Sequence, residues 1–251
     1  MKTIFFTWIS DDYRPRIDFN SFYKSFKYFH PDIELVVFDS AIINMVKKEK
    51  PWVNHVNCKA SFAKLLYNDY DLVVNVDSDF YFFDRCYELL EADYDIAACA
   101  NYNIVQNVSI RPGFLDGYYL PPVDIKHYVQ GGMIASTSKA FWDEFEILSE
   151  KLALKLPIYE NDVFNIIWHS NKYKTKVLDG DYDYHSENFK CYYNCSSLGR
   201  IHQCQLIDDH VYLDNKPMRS YHIAHGWARR KERMHELFPS EISEWFYKKI
   251  L

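Results

Sequence analysis

Short apolar runs recur along the chain at residues 3–9, 35–39, 72–76, 96–100 and 129–137. Each is too short for a buried helix and several are rich in β-branched residues, so they predict strands. Helical patterns fall between them. Phe22, Phe26 and Phe29 recur at helical spacing behind Asn20 or Ser21 as the N-cap. Ser61 is placed to cap residues 62–70, and Ser138 to cap a stretch carrying Phe141, Phe145, Leu148 and Leu152. Strand and helix alternating through residues 1–100 predict crossover units, hence an α/β fold with a mixed, mostly parallel central sheet flanked by helices. In such a sheet, ligands sit beyond the carboxyl ends of the strands, near the switch in strand order. With no internal repeat and no Pro/Gly-rich linker, residues 1–251 read as one domain.

At the end of the third run stand Asp77, Ser78 and Asp79, followed directly by a second apolar run, residues 80–83. If the backbone stays extended, residues i and i+2 point to the same side, and the two carboxylates converge just past a buried strand. Carboxylates that close repel unless a cation or a shared proton relieves them. A hard divalent ion bound by carboxylate and phosphate oxygens is the natural occupant. The competing reading is a plain turn, which both residue types favour. Apolar runs on both sides weigh against it.

Thr7 lies in the first run with Asp11-Asp12-Tyr13 just beyond it, Asp39 ends the second, and Lys64 lies on a predicted helix before the Asp-x-Asp. That order resembles the GT-A fold of nucleotide-sugar-dependent glycosyltransferases, loosely the glycogenin-like and galactosyltransferase-like members. The resemblance implies a GT-A-like single domain, with residues 1–100 holding a nucleotide sugar and residues 101–251 an acceptor. It implies that Asp77 and Asp79 bind Mn²⁺ or Mg²⁺ on the donor diphosphate, with Ser78 beside the donor. Thr7, Asp11 and Tyr13 then grip the nucleoside, Asp39 meets the base or ribose, and Lys64 lies near the donor phosphate or sugar.

Gly131-Gly132 stands in a strand that usually reads Asn-Ser-Gly in that family, a departure that removes the usual side chains. The pair lets backbone approach a sugar closely, or else marks a bulge. Among the acids that open the next helix, the resemblance implies Asp162 first and Glu160 second as the base that an inverting enzyme uses on an acceptor hydroxyl. In a retaining enzyme the same carboxylate orients sugar or acceptor. Acids are also favoured there by the helix dipole alone. His225, before Gly226, matches the family's third metal ligand best, with His222 in reserve. Arg229-Arg230-Lys231 either face a leaving diphosphate or open a solvated helix, and Phe114, Tyr118 and Tyr119 either stack on an acceptor sugar or form a small core of their own, with Trp227 a further sugar-stacking candidate.

The implied activity is divalent-metal-dependent transfer of a hexose or pentose from a nucleoside-diphosphate sugar, a UDP-sugar by the resemblance, to a hydroxyl of a glycan or other acceptor. A sugar-nucleotide nucleotidyltransferase is an alternative, although no Gly-rich loop with a basic residue stands near the start. A non-catalytic carbohydrate-binding protein on the same fold is another. A haloacid-dehalogenase-like phosphohydrolase is set aside, because its Asp-x-Asp belongs on the first strand.

Composition adds boundaries. The formal net charge of -6 weighs against sequence-independent nucleic-acid binding, so no nucleic-acid partner is expected. No apolar run approaches the roughly 18 residues needed to span a bilayer, so no transmembrane segment is expected. The apolar start is too short for a signal peptide and lacks a small-residue cleavage site. The 6 Cys are scattered and no export signal precedes them, so reduced thiols and a cytoplasmic protein are expected; a length of 251 residues, about that of one GT-A domain, leads us to expect no membrane stem or lectin module. Cys191, Cys195, His202, Cys204 and His210 match no usual zinc spacing. P-loop, Rossmann and serine-hydrolase fingerprints are missing from the sequence. Aromatics at 18% read mostly as core mass.

Overall fold

The computed structural model describes residues 1–11, 18–54, 57–100, 113–123, 128–178, 193–195, 204–213, 216–222 and 238–251. The first half runs β1 (Thr3–Trp8), α1 (Phe19–Phe29), β2 (Glu34–Phe38), α2 (Ser40–Glu49), α3 (Lys59–Lys64), β3 (Leu72–Val76), β4 (Phe80–Phe82), α4 (Tyr87–Leu90) and β5 (Ile96–Ala100). A hairpin of β6 (Gly113–Leu115) and β7 (Tyr118–Leu120) precedes β8 (Val129–Ser136), α5 (Lys139–Leu152), a 3-10 turn (Ala153–Lys155) and α6 (Tyr159–Trp168). The rest comprises β9 (Thr175–Val177), β10 (Tyr193–Cys195), β11 (Gln205–Ile207), β12 (His210–Leu213), β13 (Lys216–Pro217), β14 (Ser220–His222) and α7 (Ser240–Lys249).

All five expected strands are present, and with β9, which no expected run covers, they build one six-stranded sheet in the order β2-β1-β3-β8-β5-β9. The pairs β1–β2, β1–β3 and β5–β9 are parallel, whereas β8 runs antiparallel to both β3 and β5. The expected mixed, mostly parallel sheet is therefore observed. β3 explains its own central place: all five of its residues are buried, so it must be covered on both faces.

Alternation along the strands splits the core. Ile4, Phe6 and Val73 face one layer, where they meet Val46 of α2, Phe62 of α3, Phe141 and Phe145 of α5, and Phe164 of α6. Phe5, Val74 and Val76 face the other, against Phe22 and Phe26 of α1 and Leu89 of α4. Fully burying one such side chain contributes about 1.5–3 kcal/mol. A third cluster lies under α7, where Ile242 and Phe246 meet Tyr81, Phe83, Val211 and Tyr221.

Two helix starts differ from expectation. Asp18, not Asn20 or Ser21, caps α1, because its carboxylate reaches back to the Ser21 N–H at 3.2 Å. Ser61 lies inside α3 rather than before it, and its hydroxyl donates to Glu146 at 2.7 Å. Ser138 does cap α5, accepting the Phe141 N–H at 3.2 Å. Among the described residues, no helix is long and apolar enough to cross a membrane.

β1, β2 and β3 point the same way, so Trp8, Phe38 and Val76 end at one edge of the sheet. β8, being antiparallel, brings its first residues to that same edge.

Candidate functional site

At that edge the chain turns through Asp77, Ser78 and Asp79 into β4, so the Asp-x-Asp is a turn and not extended backbone. The carboxylates converge nonetheless. The Asp77 N–H donates to the Gly132 carbonyl at 2.7 Å, which ties the turn to β8. β14 then pairs antiparallel with β4 and sets His222 opposite Phe80. His222 Nε2 lies 3.1 Å from Asp79 Oδ1 and 3.8 Å from Asp77 Oδ2. One ligand atom from each of Asp77, Asp79 and His222 lies within 4.8 Å of the others. Such spacing, with two carboxylates and one imidazole, fits a divalent cation that takes oxygen ligands and tolerates nitrogen.

The imidazole is gripped all round. It stacks on Phe80 with centroids 4.3 Å apart and planes 10° apart. Its Nδ1 is 2.6 Å from the Gln130 amide nitrogen. A Cβ placed on Gly132 would stand 2.5 Å from its Cε1. Gly131 is constrained in the same way, since a Cβ there would stand 2.5 Å from Asn161 Oδ1. The glycine pair thus makes room for the protein's own Asn161 and His222.

Beside the aspartates lies a buried lysine. Lys59, at the first turn of α3, has its ammonium 3.1 Å from Asp77 Oδ1 and 3.5 Å from Glu160 Oε1. It donates to the Gly131 carbonyl at 2.7 Å and sits 5.2 Å from the Trp8 ring centre. Burial pushes the Asp77 and Glu160 carboxyls up, Glu160 to about 7, while the Lys59 ammonium pulls both back. Burial works to lower Lys59 as well, but its two carboxylate neighbours outweigh it and hold the ammonium above its ordinary value.

That arrangement sets a pH dependence. Glu160 holds its proton more tightly in the folded protein, at about 7 against an ordinary 4.5. Its contribution to stability is therefore complete below about pH 4.5 and is lost as pH rises towards 7. For a shift of this size the loss is about 3 kcal/mol. The urea midpoint of metal-free protein is expected to fall between pH 5 and pH 7, and E160Q to flatten that fall. An unchanged slope in E160Q would show that Glu160 does not titrate there.

Of the two candidate acids, Glu160 is the one brought to this site. Asp162 is fully buried, with Oδ1 accepting from the Tyr128 hydroxyl and Oδ2 from the Ile158 N–H, each at 2.7 Å. It closes the first turn of α6 on itself. Burial raises its carboxyl, and those two donors oppose the rise.

Lys64 lies elsewhere. It pairs with Asp143 at 2.8 Å and Glu146 at 2.9 Å, both on α5. Five residues beyond Lys59, it points about 140° around α3 from that buried lysine. Thr7 is buried at the end of β1, and Ser78 is buried in the turn. Asp39 follows β2 and caps α2, accepting the Ala41 and Ile42 N–H groups at 3.0 and 3.1 Å. The Asp11 N–H donates to the Ser40 hydroxyl at 2.9 Å, so Asp11 rims the same edge. Phe114 and Tyr119 form an exposed aromatic pair on the β6–β7 hairpin, and the Tyr118 hydroxyl donates to Glu144 at 3.3 Å. Tyr13, Arg229-Arg230-Lys231, Trp227 and His225 lie outside the described residues.

The residue-level reading missed Lys59, Gln130, Asn161 and Asn165. Asn165 ties α6 to β8 through both its amide groups, at 2.8 and 2.9 Å on Val129. A faint signal existed for Lys59, the lone charge in an otherwise small and apolar stretch, residues 58–63.

No protein-family model and no curated protein sequence matches the chain. Solved structures do match its fold. The galactosyltransferase LgtC, in complex with donor and acceptor sugar analogs, is similar at a TM-score of 0.58 and 14% identity, over 99% of this chain and 96% of that one. The bifunctional glycosyltransferase WbbM, in its apo structure, is similar at a TM-score of 0.58 and 13% identity over 99% of this chain. Against WbbM this chain spans about half the length, 49%. The glycosyltransferase GlyE of Streptococcus pneumoniae TIGR4 is similar at a TM-score of 0.55 and 11% identity, over 100% of this chain and 60% of that one. These neighbours are GT-A enzymes, and the chain has the GT-A fold.

Proposed function

We propose that this GT-A chain is a divalent-metal-dependent glycosyltransferase, moving a sugar from a nucleoside-diphosphate sugar, a UDP-sugar, to a hydroxyl of a glycan or other acceptor. The observation that carries this reading is the convergence of Asp77, Asp79 and His222 at the carboxyl edge of the GT-A sheet. These three would hold Mn²⁺ or Mg²⁺, with His222 in the place the resemblance gave to His225. The imidazole favours Mn²⁺, since Mg²⁺ prefers oxygen alone. Bound there, the ion supplies Lewis-acid stabilisation of charge gathering on the leaving diphosphate.

The chain's own groups do the rest. Lys59 keeps a permanent positive charge against Asp77 and Glu160, adding to the field at the same edge. Glu160, with a carboxyl near 7, suits proton acceptance from an acceptor hydroxyl, or orientation of the sugar in a retaining reaction. Thr7, Asp11 and Asp39, at the ends of neighbouring strands, are assigned to the nucleoside. The exposed pair Phe114 and Tyr119 is assigned to the acceptor, as aromatic faces for a sugar ring.

The test uses the full chain with Mn²⁺ and a panel of sugar nucleotides, reading nucleoside-diphosphate release. Release from one UDP-sugar is expected, accelerated by the right acceptor and abolished by EDTA. Release from no donor overturns transfer, and sugar-nucleotide formation that requires a nucleoside triphosphate shows a nucleotidyltransferase instead.

A further inference from the structure

We infer that Gln130 is a positioning residue for His222, its side-chain amide partnering Nδ1 whether or not that nitrogen carries the proton and so holding Nε2 towards a cation. The inference rests on the metal-binding reading of Asp77, Asp79 and His222.

Gln130 and Gly132, at the point where β8 shifts register against β5, both meet the His222 ring. Gly132 leaves the space that the imidazole fills, and Gln130, only 8% exposed, reaches the ring's far side. Phe80 stacked on the ring fixes its plane, and the polar partners at either end fix which way round it lies. Nε2 is therefore held towards the carboxylates and Nδ1 towards Gln130, at 3.1 Å from Asp79 and 2.6 Å from the amide.

With its nitrogen nearest Nδ1, the Gln130 amide has only a donor to offer there, and a neutral ring accepting it carries its own proton on Nε2, facing Asp79. A cation on Nε2 needs the lone pair of that nitrogen. The proton then leaves Nε2, one is taken up at Nδ1, and Nδ1–H needs an acceptor. A half-turn of the amide supplies it, because the Gln130 carbonyl oxygen replaces the NH₂ within the same outline. One side chain thus satisfies the ring both without and with metal. Fixing the orientation of a ligating histidine through its second nitrogen is worth about 10- to 100-fold in metal affinity.

The experiment titrates Mn²⁺ into metal-free full-length protein by calorimetry, comparing the unsubstituted chain with Q130M and Q130E, and with D79A as the non-binding reference. Methionine keeps the volume and offers no hydrogen bond; glutamate can only accept, which favours the proton on Nδ1. Q130M is expected to bind about 10- to 100-fold more weakly, and Q130E at least as tightly as the unsubstituted chain. A merely packing role predicts Q130M binding as tightly as the unsubstituted chain, since methionine keeps the volume. Q130M binding undiminished, or Q130E falling to the level of Q130M, overturns the role of Gln130 while leaving the metal site standing. An unsubstituted chain that binds no Mn²⁺ overturns the metal site and Gln130 with it.

Discussion

Replacing Asp79 with alanine is expected to lower metal-dependent sugar transfer by about a thousand-fold or more, equivalent to about 4 kcal/mol of transition-state stabilisation. Asp79 gives one of the two carboxylates that His222 faces, and its oxygen is the nearer, at 3.1 Å against 3.8 Å for Asp77. The fold should survive. The side chain stands in a turn, and removing it relieves like-charge repulsion with Asp77 when no ion is present. Nucleoside-diphosphate release and the rise in melting temperature on adding Mn²⁺ are read together. Both should disappear while metal-free stability stays close to that of the unsubstituted protein. Full activity in D79A would remove the metal from the reaction.

K59M is expected to act first on stability. Lys59 is the cation set between Asp77 and Glu160, and methionine would leave those buried carboxylates without it. Losing one partner from a buried pair costs about 3–5 kcal/mol. Urea denaturation of metal-free protein at pH 7 measures it. The loss should shrink at pH 5, because burial has pushed Glu160 up to about 7 and that carboxyl takes a proton there, leaving less charge for the lysine to offset. A K59M protein as stable as the original at pH 7 would show that Lys59 is not their counter-ion.

The sheet was legible because its strands are apolar runs bounded by polar residues, and residues 72–76 read as buried on both faces before any neighbour was known. The Asp-Ser-Asp was legible as a place where charge follows a buried strand. Its backbone was misread as extended: two carboxylates gather as readily around a turn when β8 and β14 hold it from either side. Less local features were hidden. A lysine on a helix ordinarily faces water, and what buries Lys59 is Glu160, 101 residues away. Gly131-Gly132 announced a close approach without saying of what. Asp162 carried the right residue type at the right helix start, yet its oxygens were committed to Tyr128 and Ile158, which no spacing rule shows.

The β14–β4 ladder carries a last consequence. It has only three residue pairs, and along it Tyr221 points away from His222 into the cluster under α7, where its ring meets Phe238 at 5.2 Å. A slip of one residue would exchange the two faces, pulling the imidazole into hydrocarbon and turning a phenol towards the aspartates. So short a ladder is kept in register by the packing of Tyr221 together with the pairing of β14 to β10 and the Phe83 N–H donated to the Arg219 carbonyl at 2.9 Å. The apolar seat of the last helix is thus one register pin for a site on the other face of the strand, and erosion of Ile242 or Phe246 is expected to show as misplacement of His222 against Asp79.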